Sequence, residues 1–358
     1  MTLSHLIGSI TTTGLKFMDW SSLLDLSKST PEWILLSHAK PDGDAIGSLL
    51  GLAAGLRHLG CRATPVLEGG LPTRYQFMDP NGWLVKRDQV PADLFSRAKG
   101  IAVVDTGTWS QLGHWKESVR SFAGKKIVID HHATQDDLGA TRFVTVKAEA
   151  NCRLVYEAIR SLGYTPDAVA AQALFIGLAT DTGWFRHGNT RPESFELAGE
   201  LVRFGVDATE VYRRIYESSP LSRLKLSGAV LDRARSYLDG WVVGSEILMD
   251  DWERLPAKRE DAEDLIDLIR VLDGTDIAFV LVEREPGETR GSLRSRGATD
   301  VAKIAQTFGG GGHRNAAGFT HLGPAHEARS LLLERISQQR VHSTNGTISP
   351  LSPPQPKG

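Results

Sequence analysis

From Trp33 onward the chain alternates between short uninterrupted apolar runs and longer stretches with apolar residues at helical spacing. Trp33-Ile34-Leu35-Leu36-Ser37 reads as a buried strand, residues 44–59 as a helix, and Gly100 to Asp105 and Lys126 to Asp130 as two further buried strands. Short apolar strands separated by helices predict a largely parallel sheet covered on both faces. Helical spacing returns over residues 154–162, 168–179, 192–204 and 207–216. Upstream, Trp20 to Leu26 has the amphipathic pattern of an N-terminal helix that carries no evident chemistry.

The pattern changes after Glu217-Ser218-Ser219-Pro220-Leu221-Ser222, where proline disfavours helix in the residue before it. Beyond it, Trp241 to Gly244, Ile277 to Glu283 and Thr289 to Ser295 read as strands, with an acidic helix over residues 260–271. The expected organisation is an N-terminal extension (1–31), a first domain (32–217), a linker (218–222), a smaller second α/β domain (223–338) and a proline-rich disordered tail (339–358). The 358 residues suffice for two hydrophobic cores.

Composition narrows the function. Lys plus Arg total 41 and Asp plus Glu 43, a net charge of −2, so nothing argues for a long non-specific groove and no long-duplex DNA binding is expected. Cys61 and Cys152 form neither a metal spacing nor a disulfide framework and are expected to be buried in a reducing compartment. The longest uncharged runs, such as Ala168 to Thr180, are shorter than the roughly 18 to 20 residues a bilayer requires. With no secretory signal at the N-terminus, the expected location is the cytoplasm, without membrane contact.

Candidate chemistry collects where strands end. His38, Asp42 and Asp44 follow the first strand and open a helix, the place where open α/β sheets bind ligands. Two aspartates on one turn repel unless a cation lies between them, yet either could equally cap the helix. Asp105 ends the second strand, Asp130-His131-His132 ends the third, and Asp181 ends an apolar helix, where negative charge opposes the macrodipole. Convergence of four such positions favours a divalent metal site. The absence of cysteine ligands argues against structural zinc, and mixed imidazole and carboxylate donors suit Mn²⁺.

These motifs, His-x3-Asp-x-Asp-x2-Gly-Ser, the strand-ending Asp105, Asp130-His131-His132 and Thr180-Asp181-Thr182-Gly183, resemble the DHH phosphoesterase superfamily over about Trp33 to Arg186. The resemblance implies two metal ions, Mn²⁺ or alternatively Mg²⁺. His38 and Asp42 would hold one, Asp44, His131 and Asp181 the other, and Asp105 would bridge them. Asp130 would orient a ligand histidine, and His132 would face the substrate as a general acid or phosphate contact.

In the second half, Arg294 and Arg296 at period two and the run Gly309-Gly310-Gly311-Gly312-His313-Arg314, expected to lead into a helix start, suggest an anion site. This pairing resembles the DHHA1 domain that accompanies DHH domains, over about Leu221 to Leu333, with Arg294, Arg296, Gly310, Gly311, Gly312, His313 and Arg314 as substrate-binding candidates. Trp109, Trp115 and Trp184 could stack a base, though large aromatics more often fill cores.

A DHH–DHHA1 chain of this length resembles the bifunctional oligoribonuclease and 3′-phosphoadenosine 5′-phosphate (pAp) phosphatase group, the nanoRNase type. That implies hydrolysis of short oligoribonucleotides such as pApA and pGpG, and of pAp, by a two-metal hydroxide mechanism in a cleft between the domains, with homodimerisation as a further expectation. The alternatives are a soluble cyclic di-AMP phosphodiesterase and, from another class, a non-catalytic nucleic-acid-binding or tRNA-associated DHHA1 module.

Overall fold

The computed structural model describes residues 18–297 and 299–344. The chain divides into two compact units between Ser218 and Ser219. In the first, the elements run α1 (Ser21–Ser29), β1 (Glu32–Leu36), α2 (Gly43–His58), β2 (Arg62–Leu67), β3 (Val85–Lys86), α3 (Leu94–Arg97), β4 (Gly100–Val104), α4 (Trp115–Ser121), β5 (Lys125–Asp130) and β6 (Thr141–Val144). Four helices follow: α5 (Asn151–Ser161), α6 (Ala168–Asp181), α7 (Pro192–Arg203) and α8 (Ala208–Tyr216).

The six strands form a sheet in the order β3-β2-β1-β4-β5-β6, parallel throughout. Side chains alternate between its faces: Trp33 and Leu35 pack under α2, α5 and α6, while Ile34 and Leu36 join Leu94, Trp115 and Val119 on the other side. The chain winds outward in one direction from β1 and in the other from β4, so the switch point lies between these two strands. Strands β2, β3 and β6 were missed in the sequence; Arg62-Ala63-Thr64-Pro65 and Thr141-Arg142 are too polar for a buried-strand pattern and pair near the sheet's margins.

Helix α2 carries glycine at every fourth position, Gly43, Gly47, Gly51 and Gly55, facing α5 and α6. A β-carbon at Gly47 would stand 2.3 Å from the Ala173 carbonyl oxygen and 2.8 Å from Cys152 Sγ; at Gly43 it would meet Thr180 Oγ1 at 2.4 Å. The stripe lets three helices approach closely enough to bring Asp44, Asn151 and Asp181 to one place. Cys61 and Cys152 are both free and buried. Helix α1 belongs to this core, through buried Leu23 and a Trp20–Phe143 stack at 4.9 Å.

The second unit contains α9 (Leu221–Asp232), β7 (Arg235–Tyr237), β8 (Val242–Ile247), α10 (Met249–Arg254), α11 (Ile266–Ile269), β9 (Ile277–Glu285), β10 (Glu288–Ser295), α12 (Val301–Gln306), β11 (Gly311–His313), β12 (Ala316–Leu322) and α13 (Ala325–Thr344). Its mixed sheet has the order β11-β12-β10-β9-β8-β7, antiparallel except for β8 with β9.

Several expectations change here. Leu221 and Ser222 open a helix whose cap is Pro220, because proline's fixed φ suits a helix start. The acidic helix over 260–271 is broken into a 3₁₀ turn (Arg259–Ala262) and α11, with Asp264 between them at φ 62°. Residues 339–344 continue α13, and the remainder of the expected tail lies outside the described residues, as do residues 1–17. Among the described residues no helix is long and apolar enough to cross a membrane.

The glycine stripe generates a paired prediction. Gly47→Ala should destabilise by about 1–3 kcal/mol, since the methyl group has no room. Gly199→Ala, in α7 with nothing near its absent β-carbon, should stabilise by about 0.5–1 kcal/mol. Urea unfolding of the two variants checks the opposite signs.

Candidate metal centre

The carboxyl edge of the first sheet gathers its acidic and imidazole side chains around the β1–β4 switch point. Asp42 caps α2, accepting from the amides of Asp44 and Ala45, both at 3.0 Å. Asp44, buried, caps a different helix: its oxygens accept from the amides of Asn151 (2.6 Å) and Cys152 (2.8 Å) at the start of α5. The capping expectation thus holds for Asp42, whereas Asp44 lies within α2 and caps α5 instead; both caps serve to orient the carboxylates. Asp105 follows β4 in the left-handed region, φ 59°, a conformation that costs energy in any residue with a β-carbon. Asp181 is the last residue of α6.

Three sets emerge, within each of which the candidate ligand atoms lie within 4.8 Å of one another: His38, Asp42 and Asp105; Asp44, His131 and Asp181; and Asp105, His131 and His132. His38 Nε2 is 3.4 Å from Asp105 Oδ2 and 3.9 Å from Asp42 Oδ1. His131 Nε2 is 3.5 Å from Asp105 Oδ1 and 3.9 Å from both Asp44 Oδ2 and Asp181 Oδ2. These separations exceed those of charge-assisted hydrogen bonds, about 2.7–2.9 Å. They suit donors sharing an ion, which at bond lengths of about 2.1 Å stand about 3 to 4 Å apart.

Asp105 Oδ1 and His131 Nε2 are buried without a hydrogen-bond partner. Buried polar atoms are rarely left so, and an ion explains them. The donors present fit divalent metal ions.

The charges are strongly coupled. Burial would raise Asp105, but His131 and His38 outweigh it and hold the carboxyl at about 2. Asp181 is pushed up to about 7, first by desolvation and then by Asp105 and Asp42, with His131 opposing. Desolvation and the Asp105 charge also raise Asp44. Burial would lower His131, yet the close carboxylates of Asp105, Asp44 and Asp181 carry it to about 10.

Asp130, fully buried, was expected to orient a ligand histidine. Its Oδ1 accepts from the His131 amide at 2.8 Å, but the ring it holds is that of His132, at Nδ1, 2.8 Å. The His131 ring instead has its Nδ1 3.3 Å from the Ala148 carbonyl. The bond to Asp130 is the chief cause that raises the His132 pKa. Sequence reasoning missed Asn151 and the Cys152 amide, which reach Asp44 across more than a hundred residues. An asparagine opening the amphipathic α5 was the available signal.

The second unit's candidates are arranged differently. Gly309, φ 72°, and Gly310, whose amide donates to Ala305 O at 2.9 Å, terminate α12. Gly311 and Gly312 then enter a hairpin, pairing with Gly318 and Ala317. The expected helix start after His313 and Arg314 is strand β12, where Ala317 and Phe319 are buried at strand period. The glycine run thus adjoins the C-terminus of α12, while the first amide of that helix, Val301, is already taken up by the Arg314 carbonyl at 2.8 Å. Arg294 lies on β10, while Arg296 has left the strand and donates to Leu272 O at 3.2 Å. The His313 side chain lies outside what the structure describes.

Fold and site together define a DHH protein. The DHH family N-terminal domain matches residues 33–178 and the DHHA1 domain residues 254–339, and the chain belongs to this family. Its relatives include the bifunctional oligoribonuclease and PAP phosphatase NrnA of Thermus thermophilus, 32% identical over 317 residues, or 85% of this chain and 89% of the relative. The protein of that name from Bacillus subtilis is 27% identical over 294 residues, covering 80% and 88%. The crystal structure of an exopolyphosphatase-related protein from Bacteroides fragilis shares the fold, with a TM-score of 0.86 at 24% identity over 90% of this chain and 96% of that one.

The pKa directions predict how the metal-free protein responds to pH. Asp181 and His131 bind protons more tightly folded than unfolded, so the stability they contribute is present at low pH. It is lost between 3.8 and about 7 for Asp181 and between 6.5 and about 10 for His131. Asp105 acts oppositely, but only as pH falls from 3.8 towards about 2. With chelator present, the melting temperature should therefore be lower at pH 9 than at pH 6, and added Mn²⁺ should stabilise more at pH 9. A chelated protein that melts higher at pH 9 would contradict this.

Proposed function

We propose that the protein hydrolyses short oligoribonucleotides, such as pApA and pGpG, to mononucleotides and pAp to AMP, with two divalent ions, Mn²⁺ foremost. At the coarser level it is a phosphoester hydrolase, as its family membership and its relatives' names support. The observation that carries the finer reading is the pair of ligand sets on either side of Asp105, whose unpartnered Oδ1 faces His131.

His38 and Asp42 would hold one ion and Asp44, His131 and Asp181 the other, with Asp105 between. Imidazole among the donors favours Mn²⁺ over Mg²⁺. Ions there supply Lewis-acid stabilisation of charge on phosphoryl oxygens. Asp130 keeps the His132 ring oriented through Nδ1, leaving Nε2 to donate a proton to the leaving oxygen. In the DHHA1 unit, Arg294, Arg296, Gly311, Gly312, His313 and Arg314 are the groups assigned to a non-scissile phosphate; Gly310 is not, since its amide closes α12.

Asp105→Asn, which keeps shape and removes charge, should bring Mn²⁺-dependent hydrolysis of pApA to background while circular dichroism and the unfolding transition persist. Arg294→Ala should raise KM more than it lowers kcat, because a phosphate contact acts in ground and transition states alike. Assays on pAp, pApA, longer RNA and cyclic di-AMP should favour pAp and the dinucleotide. A preference for cyclic di-AMP would replace the reading with the phosphodiesterase one.

A further inference from the structure

Directly after Asp181 the backbone does something costly. Gly183, Trp184 and Phe185 have φ values of 56°, 58° and 62°, three successive residues in the left-handed region, two of them large aromatics. The turn is held from within: the amides of Arg186 and His187 donate to Thr182 O at 3.0 Å, and that of Phe185 to Thr182 Oγ1 at 3.2 Å. It is also tied to the site, since Asn189 Nδ2 donates to Glu149 O at 2.8 Å and lies 3.4 Å from Asp181 Oδ2. Strain of this kind persists where the surroundings enforce it, and it points from structure to function.

Trp184 and Phe185 meet edge-on, centroids 6.4 Å apart, and the turn gives each ring its own further partners. Trp184 enters a nest of edge-on contacts with Phe175 of α6 and Tyr212 and Tyr216 of α8, at 5.0 to 5.9 Å. Phe185 instead stacks on Phe195 of α7, centroids 5.0 Å apart and planes 27° from parallel. Phe195 is 58% exposed, an unusual position for a phenylalanine on a helix whose start is secured by Ser194, which accepts from the Arg191 amide at 3.1 Å.

We propose that the Phe185–Phe195 pair is a stacking platform for a nucleobase of the substrate, and so a determinant of specificity for nucleotides over other phosphoesters. The proposal rests on the nucleotide-hydrolase reading above. Phe185 is four positions from Asp181, a reach of at most about 14 Å even if extended, so the platform stands close to the candidate ligands. Between Thr182 and Pro192 there is no acidic residue, while Arg186, His187 and Arg191 are exposed, a surface suited to a polyanion. Glu193 and Glu196 flank Phe195 in the chain. They disfavour phosphate over that ring and leave the uncharged base as the part of a nucleotide that fits it. A π-face accepts any base, so the platform gives affinity for bases without choosing among them.

The test compares the full-length Mn²⁺-loaded protein and its Phe195→Ala and Phe195→Trp variants on pApA and on the same dinucleotide with one base replaced by an abasic ribose. Phe195→Ala should lose about 5- to 150-fold in kcat/KM on pApA and at most twofold on the matching abasic substrate; Phe195→Trp should keep activity on both. Equal losses on the two substrates, or no loss on either, would overturn the platform while leaving the hydrolase reading intact. A variant-dependent change of oligomeric state in light scattering would also overturn it, assigning the ring to a contact between copies. If the unaltered protein cleaves neither substrate, the nucleotide reading fails and the platform with it.

Discussion

The first unit is organised around the repulsion of four carboxylates held in one place. Asp42, Asp44, Asp105 and Asp181 belong to two ligand sets whose atoms approach within 4.8 Å. At that separation two ionised carboxylates repel by about 3.5 kcal/mol at an effective dielectric near 20. The helix caps received by Asp42 and Asp44 are each worth about 1 kcal/mol, so capping alone does not offset the crowding. His38 and His131 take up part of the charge, which is why their pKa values rise although both are largely buried. Divalent cations held by the same groups would offset the rest.

Holding that cluster requires helices that approach more closely than ordinary side chains allow. The α2 glycines remove the side-chain layer against α5 and α6, and Asp44 of α2 thereby reaches the amides that open α5. Cys152 fills the junction, with its Sγ against the places where Gly47 and Gly177 lack β-carbons. Packing and chemistry are thus one arrangement: a methyl group added at Gly177 would stand 2.9 Å from Asp44 Oδ1. The left-handed Asp105 and the left-handed turn after Asp181 show the same economy, in which strained backbone places side chains that a regular element would turn elsewhere.

The second unit shows where local pattern misleads. Four glycines before a His-Arg pair look like an anion loop opening a helix, but the neighbouring α12 uses two of them to end, and Ala316 to Leu322 pairs with β10 as a strand. Small residues at helical spacing carry little information about period, and the pairing partner decides. Asp264 at φ 62° likewise interrupts a stretch whose composition suits a helix.

The sequence by itself determined the parallel α/β class of the first unit, the places where its three central strands end and the residue types gathered there, because strand period and buried apolar runs are local properties. The spacing of the α2 glycines was equally present in it, as a signal that had no meaning until α6 was seen to lie across them. Tertiary structure decided which aspartate caps which helix, that Asp130 holds the ring of His132 and not that of His131, and which aromatic partners each ring after Asp181 meets. Those outcomes depend on contacts between residues far apart in the chain, and on backbone conformations that only the surrounding packing can enforce.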